Sequence, residues 1–153
     1  MKNLLFRFKM SLRVSFDDLD AYKVVHNSKY FVYFERARTA YLQNLGLIQD
    51  GEKGLDDIDS AVIENYCSYR KPVLFDDIIT IYLRVSYLKK SSLQFQYIVT
   101  KNNDSVTAAL GYTTIVRVLF AQFKPIPFDK RFRDAITAFE GDNLGKMTGI
   151  HEA

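Results

Sequence analysis

The chain has 153 residues, of which 48% are hydrophobic and 25% charged, with 21 Lys and Arg against 18 Asp and Glu for a formal charge of +3. That length suits one domain that buries roughly two thirds of its unfolded surface without a covalent staple, and the single cysteine, Cys67, excludes an internal disulfide. The near balance of charge without a long run of one sign argues against a nucleic-acid partner. Two distant histidines, His26 and His151, argue against a structural zinc site, and no stretch approaches the ~18 apolar residues of a membrane span.

The N-terminus is basic but has no uninterrupted apolar core, so it does not read as a signal peptide, and a soluble cytoplasmic protein is expected. From 6 to 16 the apolar residues Phe6, Phe8, Met10, Leu12, Val14 and Phe16 alternate with polar ones, which predicts a half-buried strand. The alternation breaks in an acidic loop over 17–26. Asn27 and Ser28 are then candidate caps for a helix over 28–45, closed by Gly46. At roughly 100° per residue, Tyr30, Phe31, Tyr33, Phe34, Ala37, Ala40, Tyr41, Leu42 and Leu45 share one broad arc that must be covered. Arg38 lies inside that arc with Glu35 near its edge, suited to bracing the helix against a sheet.

The rest reads mostly as strands. Residues 59–74 form a long one with neither face cleanly apolar, as a strand bordering a site or a subunit contact would be, and Pro72 interrupts its pairing. The stretch 78–88 alternates through Ile79, Ile81, Leu83, Val85 and Tyr87. A turn leads into Leu93, Phe95, Tyr97 and Val99, and Asn102, Asn103 and Asp104 form a second turn. The next strand alternates through Val106, Ala108, Leu110, Tyr112, Thr114, Val116, Val118 and Phe120. Pro125 and Pro127 stop the sheet, 129–139 suits a short helix, and the glycine-bearing tail 141–153 is expected to be mobile. The domain is therefore expected over 1–140, an α+β fold in which about five antiparallel strands curl around one long helix.

At this point the motifs become specific. The run from Val14 to Asp20, then Tyr30, Tyr33, Phe34, Glu35, Arg36, Ala37 and Arg38, and the helix end at Leu45, Gly46 and Leu47, resemble hot-dog-fold acyl-CoA thioesterases of the 4-hydroxybenzoyl-CoA thioesterase type. Within that group they are similar to the bacterial branch that includes the Tol-Pal-associated thioesterases. Tyr69 to Pro72 followed by Asp76 and Asp77, Ser91 to Phe95, Gly111 to Thr114, and Lys124 to Pro127 extend the resemblance in order along the chain, from about 10 to 128. The family usually has glycine where this chain has Lys23, and a Tyr-His or Asn-Asn pair where it has His26 and Asn27.

The resemblance implies that Asp20 is the catalytic carboxylate, either attacking the thioester carbonyl or acting as general base for water, and that the backbone N–H of Asn27 polarises the carbonyl oxygen. Taken alone, Asp20 is one of three loop acids, equally suited to a turn or cap. Asp17 and Asp18 read as structural. His26 could orient water or the thioester, or simply pack at the helix entry. Tyr30, Phe31 and Phe34 are candidate acyl-pocket walls or else simple core, Glu64 is a surface ion-pair partner or else an auxiliary acid from a neighbouring subunit, and Lys71, Lys89, Lys90 and Arg117 are candidates for coenzyme A phosphates. The family further implies a homodimer or homotetramer, an acyl-CoA substrate, and no metal or redox cofactor. Two alternatives stay open, a non-catalytic acyl-CoA sensor or scaffold and a thioesterase for acyl carrier protein.

Overall fold

A computed structural model describes residues 4–146 and 150. Apolar residues on every second position of the first segment make β1 (Phe8–Arg13), which pairs antiparallel with β3 (Ile78–Leu88) so that Phe8, Met10 and Leu12 lie opposite Leu83, Ile81 and Ile79. The meander continues through β4 (Ser92–Lys101) and β5 (Val106–Leu119), and β2 (Ser60–Tyr69) closes the other edge on β5. The order is β1-β3-β4-β5-β2, with the two-residue β6 (Lys124–Pro125) added to the end of β5. In the β4–β5 turn, Asn102, Asn103 and Asp104 all adopt positive φ, a conformation that Asn and Asp tolerate better than other side chains.

The sheet curls around α1 (Lys29–Asn44), the arrangement expected of a hot-dog fold. Tyr30, Tyr33, Phe34, Ala37 and Tyr41 are buried against its concave face, while Phe31, Leu42 and Leu45 pack at the margin. The helix ends at Gly46 with φ +71, as its sequence position suggested. Its entry differs from expectation. Ser28 stands at the cap position, but its hydroxyl meets His26 Nδ1 at 2.8 Å, and it is His26 Nδ1 that accepts the Ser28 N–H at 3.1 Å.

One further reading is corrected, and the inward parity of β5 is decided. The expected strand 59–74 stops at Tyr69, because the chain must turn before Pro72 to reach β3. In β5 the residues facing the helix are Gly111, Thr113 and Ile115, opposite Tyr97, Phe95 and Leu93, and not the parity of Leu110, Tyr112 and Thr114. The ring of Phe34 lies flat on Tyr97, centroids 4.0 Å apart, and only a residue without a Cβ leaves room beside it: a Cβ on Gly111 would stand 2.7 Å from Phe34 and 2.5 Å from Tyr66 O.

The second helix, α2 (Lys130–Glu140), is capped by Asp129, which accepts the Phe132 N–H. It closes one end of the curl. Where β3 runs past the start of β1, the Glu140 carboxylate takes the place of a strand partner, accepting from Val85 N at 2.8 Å and from Tyr41 Oη at 2.7 Å. Burial raises the pKa of this carboxyl group. The segment after α2, expected to be mobile, stays docked as far as Lys146: Arg84 donates to the carbonyls of Asn143 and Lys146, and Asn143 Nδ2 donates to Leu4 O. The remainder of that tail, including His151, lies outside the described residues apart from the buried Ile150.

Candidate active site

The acidic loop folds as a small hairpin. Asp18 O accepts from His26 N, Leu19 bridges Val25, and Asp20 N donates to Val24 O, so three successive pairs lead to a turn over Asp20 to Lys23. Lys23 N donates to Asp20 O at 3.0 Å, and Asp20 Oδ1 accepts from Tyr22 N at 2.8 Å, the side-chain turn that aspartate favours. Lys23 then sits at φ +65, the left-handed position that closes a three-residue hairpin loop and that glycine fills without strain. A glycine at this position would take the same turn without the strain that the lysine side chain meets.

The hairpin is fastened on both sides. Val25 N donates to Val73 O and Val24 bridges Leu74. Asp18, one of the acids read as structural, accepts from Ser15 N at 3.0 Å and from Tyr33 Oη at 2.8 Å, tying the loop to the first turns of α1. Burial first, then this carboxylate, pushes the Tyr33 phenol upward, so it stays a donor at neutral pH. Asp20 is left half-exposed at the hairpin tip, with no partner for its Oδ2 among the described residues.

Six residues on from that hairpin's turn, the chain enters α1. Lys29 N donates to His26 O and Ser28 N to His26 Nδ1, whereas the Asn27 N–H has no acceptor among the described residues. Helix starts carry unpaired N–H groups and partial positive charge, so an N–H here suits a developing oxyanion. Because His26 Nδ1 accepts, its proton is on Nε2. The Asn27 carbonyl accepts from Tyr69 Oη at 3.0 Å. Burial lifts the Tyr69 phenol to about 12, which keeps it the donor.

The remaining candidates are dispersed. Tyr30 and Phe34 are buried core, Tyr30 between Tyr33 and Tyr69 and Phe34 on Tyr97, and Phe31 alone of the three is partly open. Glu64 lies on the exposed β2 edge and accepts from Thr114 Oγ1. Of the four cations considered for phosphates, Lys71 follows Tyr69 and shares the Asp20 end of the sheet. Lys89, Lys90 and Arg117 lie at the other end, where Arg117 is held by Asp59 at 2.7 Å.

A cavity of about 560 Å³ also opens at that far end, between the second half of α1, β2, β5 and α2, lined by Arg38, Leu42, Ile48, Phe95, Ile115 and Phe132 among others. Arg38 braces the helix as its place in the arc suggested, donating to Tyr97 Oη and Thr113 Oγ1; Glu35, 4.0 Å away, is mostly exposed. Thr113 passes the chain of bonds to Asn65 Oδ1. The roles of Tyr69, Tyr33 and Thr113 carry no linear signal, since each depends on which strand meets which helix turn. Among the described residues no group of three or more His, Cys, Asp and Glu side chains is placed to hold a metal, and no helix is long and apolar enough to cross a membrane.

Comparison with known proteins adds relatives. The profile of the Thioesterase-like superfamily matches residues 14–136. The acyl-CoA thioesterase YbgC of Haemophilus influenzae is 29% identical over 131 residues, 84% of this chain and 93% of that one. The acyl-CoA thioester hydrolase YbgC of Escherichia coli O6:H1 is 30% identical over 103 residues, 67% of this chain and 76% of that one. Among solved structures, a thioesterase from Thermus thermophilus complexed with coenzyme A and zinc superposes with a TM-score of 0.76 at 28% identity, covering 90% of this chain and 97% of its own.

Proposed function

Because the chain belongs to the thioesterase-like superfamily and is a hot-dog-fold thioester hydrolase, we propose that it cleaves acyl-CoA thioesters with Asp20 as the catalytic carboxylate. The observation that carries this reading is the pairing of two features: a hairpin that holds Asp20 with one carboxylate oxygen unpartnered, and the adjoining helix entry that leaves the Asn27 N–H unpaired. The coenzyme A named for the Thermus relative supports the choice of thiol.

The carbonyl oxygen of the thioester accepts from Asn27 N–H, so that negative charge developing on it is met by a fixed donor and the positive end of α1. Asp20 then either adds to the carbonyl carbon, breaking the C–S bond to leave a mixed anhydride that water hydrolyses while the thiolate takes the proton released, or takes a proton from the water that adds and returns it to the thiolate as the C–S bond breaks. The products are a free acid and the coenzyme A thiol, and neither route needs a metal or redox step. His26 orients the site through its bond to the Ser28 N–H and presents Nε2–H outward. The acyl group runs from Asn27 along α1, past Phe31, towards the cavity at Arg38, about 16 Å further on at the helical rise. Lys71 meets the phosphates of the carrier. Two copies join along β2, whose ten residues form an edge with Val62 and Ile63 exposed, and this supports a homodimer at least. A cytoplasmic location fits the bacterial thioesterases it resembles.

The test is thiol release from a panel of short, medium, long and aromatic acyl-CoAs by the wild type and by Asp20→Asn. Loss of general base or nucleophile should lower turnover by about 10² or more in a variant that stays folded. Near-native turnover in folded Asp20→Asn would overturn the assignment. Binding of acyl-CoA without any turnover would favour the sensor reading, and cleavage only of carrier-bound acyl groups would move the substrate to acyl carrier protein.

A further inference from the structure

The Asn27 N–H can polarise a carbonyl only if the two peptide planes on either side of the Asn27 Cα are held. The first plane carries the Asn27 N–H and the His26 carbonyl, which point in opposite directions across a trans peptide. Lys29 N fixes it by donating to His26 O at 2.9 Å, which turns the Asn27 N–H away from the helix. The second plane carries the Asn27 carbonyl and the Ser28 N–H. His26 Nδ1 takes the N–H at 3.1 Å, and the carbonyl takes the only bond in this set that comes from a distant strand, the 3.0 Å hydrogen bond from Tyr69 Oη.

We propose that Tyr69 is a positioning residue for the carbonyl-polarising donor. By holding the Asn27 carbonyl, its hydroxyl restricts rotation of the backbone at Asn27 and keeps the N–H aimed at the thioester oxygen. The inference rests on the thioesterase reading of Asp20 and Asn27. The ring and the hydroxyl of Tyr69 have separable tasks. The ring packs edge-on against the buried Tyr30, centroids 5.0 Å apart, while Tyr69 itself stays nearly half exposed. The hydroxyl bonds a carbonyl of an exposed loop residue from the end of an edge strand, where water can replace it at small cost to the fold. What water cannot replace is the fixed direction, and a donor that must reorganise during the reaction stabilises the transition state less.

Tyr69→Phe keeps the ring and removes the hydroxyl. The expected result is a fall in kcat of about tenfold, about 1.4 kcal/mol of transition-state stabilisation, with KM within twofold and the thermal midpoint within 2 °C of wild type. Amide exchange at Ser28, whose N–H shares a peptide plane with the Asn27 carbonyl and is bonded to His26 Nδ1, should quicken by about fivefold by ¹⁵N NMR while that of Val25 stays as it was. A kcat within twofold of wild type overturns the proposal, as does a kcat that falls only together with the thermal midpoint. If no acyl-CoA is cleaved even by the wild type, the thioesterase reading fails by itself. The tether is still read from the exchange of Ser28, and an unchanged rate in Tyr69→Phe would overturn it.

Discussion

Lys23 is where residue chemistry and loop geometry meet. A non-glycine residue at φ +65 carries a left-handed penalty of roughly 1–2 kcal/mol, and glycine avoids it while adding freedom to the unfolded chain worth about half of that. Lys23→Gly should therefore stabilise the protein by roughly 0.5–1 kcal/mol, read as a higher denaturant midpoint with an unchanged slope. A loss of stability would mean that the lysine side chain contributes a contact stronger than the strain it causes. The place of Asp20 in the loop just ahead of the helix was legible in the sequence. Its presentation was not, because the hairpin depends on the bond from Val25 N to Val73 O, across 48 residues of chain.

The contact between α1 and β5 decides the core at the scale of elements. The flat stack of Phe34 on Tyr97 exists because Gly111 leaves space on β5, and Gly111→Ala should cost about 1–3 kcal/mol through overpacking against Phe34 and the Tyr66 carbonyl. Equilibrium unfolding measures it, and a neutral result would show that β5 can shift away from the helix. At α2 the important group is Glu140. Burial raises its folded pKa above the ordinary value of 4.5, so the fold favours the protonated form. Its contribution is complete below 4.5 and is lost as pH rises through the raised folded value. Glu140→Gln, neutral throughout, should gain stability relative to wild type as pH rises over that interval. A gap between the two that stays constant with pH would show that Glu140 titrates alike in the folded and unfolded chain.

On the scale of the whole molecule, the open question is what meets the β2 edge. A ten-residue edge with exposed Val62 and Ile63 is a template for pairing with another strand, and Tyr69, at its end, reaches Asn27. The dimer reading predicts that light scattering finds at least twice the mass of one chain and that Ile63→Asp shifts the protein towards the monomer with reduced turnover. A wild type that runs as a monomer at micromolar concentration would remove β2 pairing from the proposal. The cavity beside Arg38 bears on acyl length in the same way. Filling it with Ile115→Trp should lower kcat/KM for long acyl-CoAs by about tenfold relative to short ones, and equal loss for both would place the acyl chain elsewhere.

The sequence by itself determined the alternation of the strands, the broad apolar arc of α1, the stop at Gly46 and the position of Asp20 just ahead of the helix. These are local properties: they follow from the periods of strand and helix and from the backbone preferences of single residues. Only the tertiary structure decided which parity of β5 faces the helix. Both sets of β5 residues are apolar enough, and the choice was made by Tyr97 and Phe34 closing over Gly111. It likewise decided that Asp18 serves Tyr33, that Glu140 stands in for a missing strand, and that Tyr69 holds Asn27. Each of these bonds joins groups whose proximity is set by packing, and for Asp18, Glu140 and Tyr69 the partner lies 15 to 55 residues away. A pattern of neighbours along the chain carries no information about such partners.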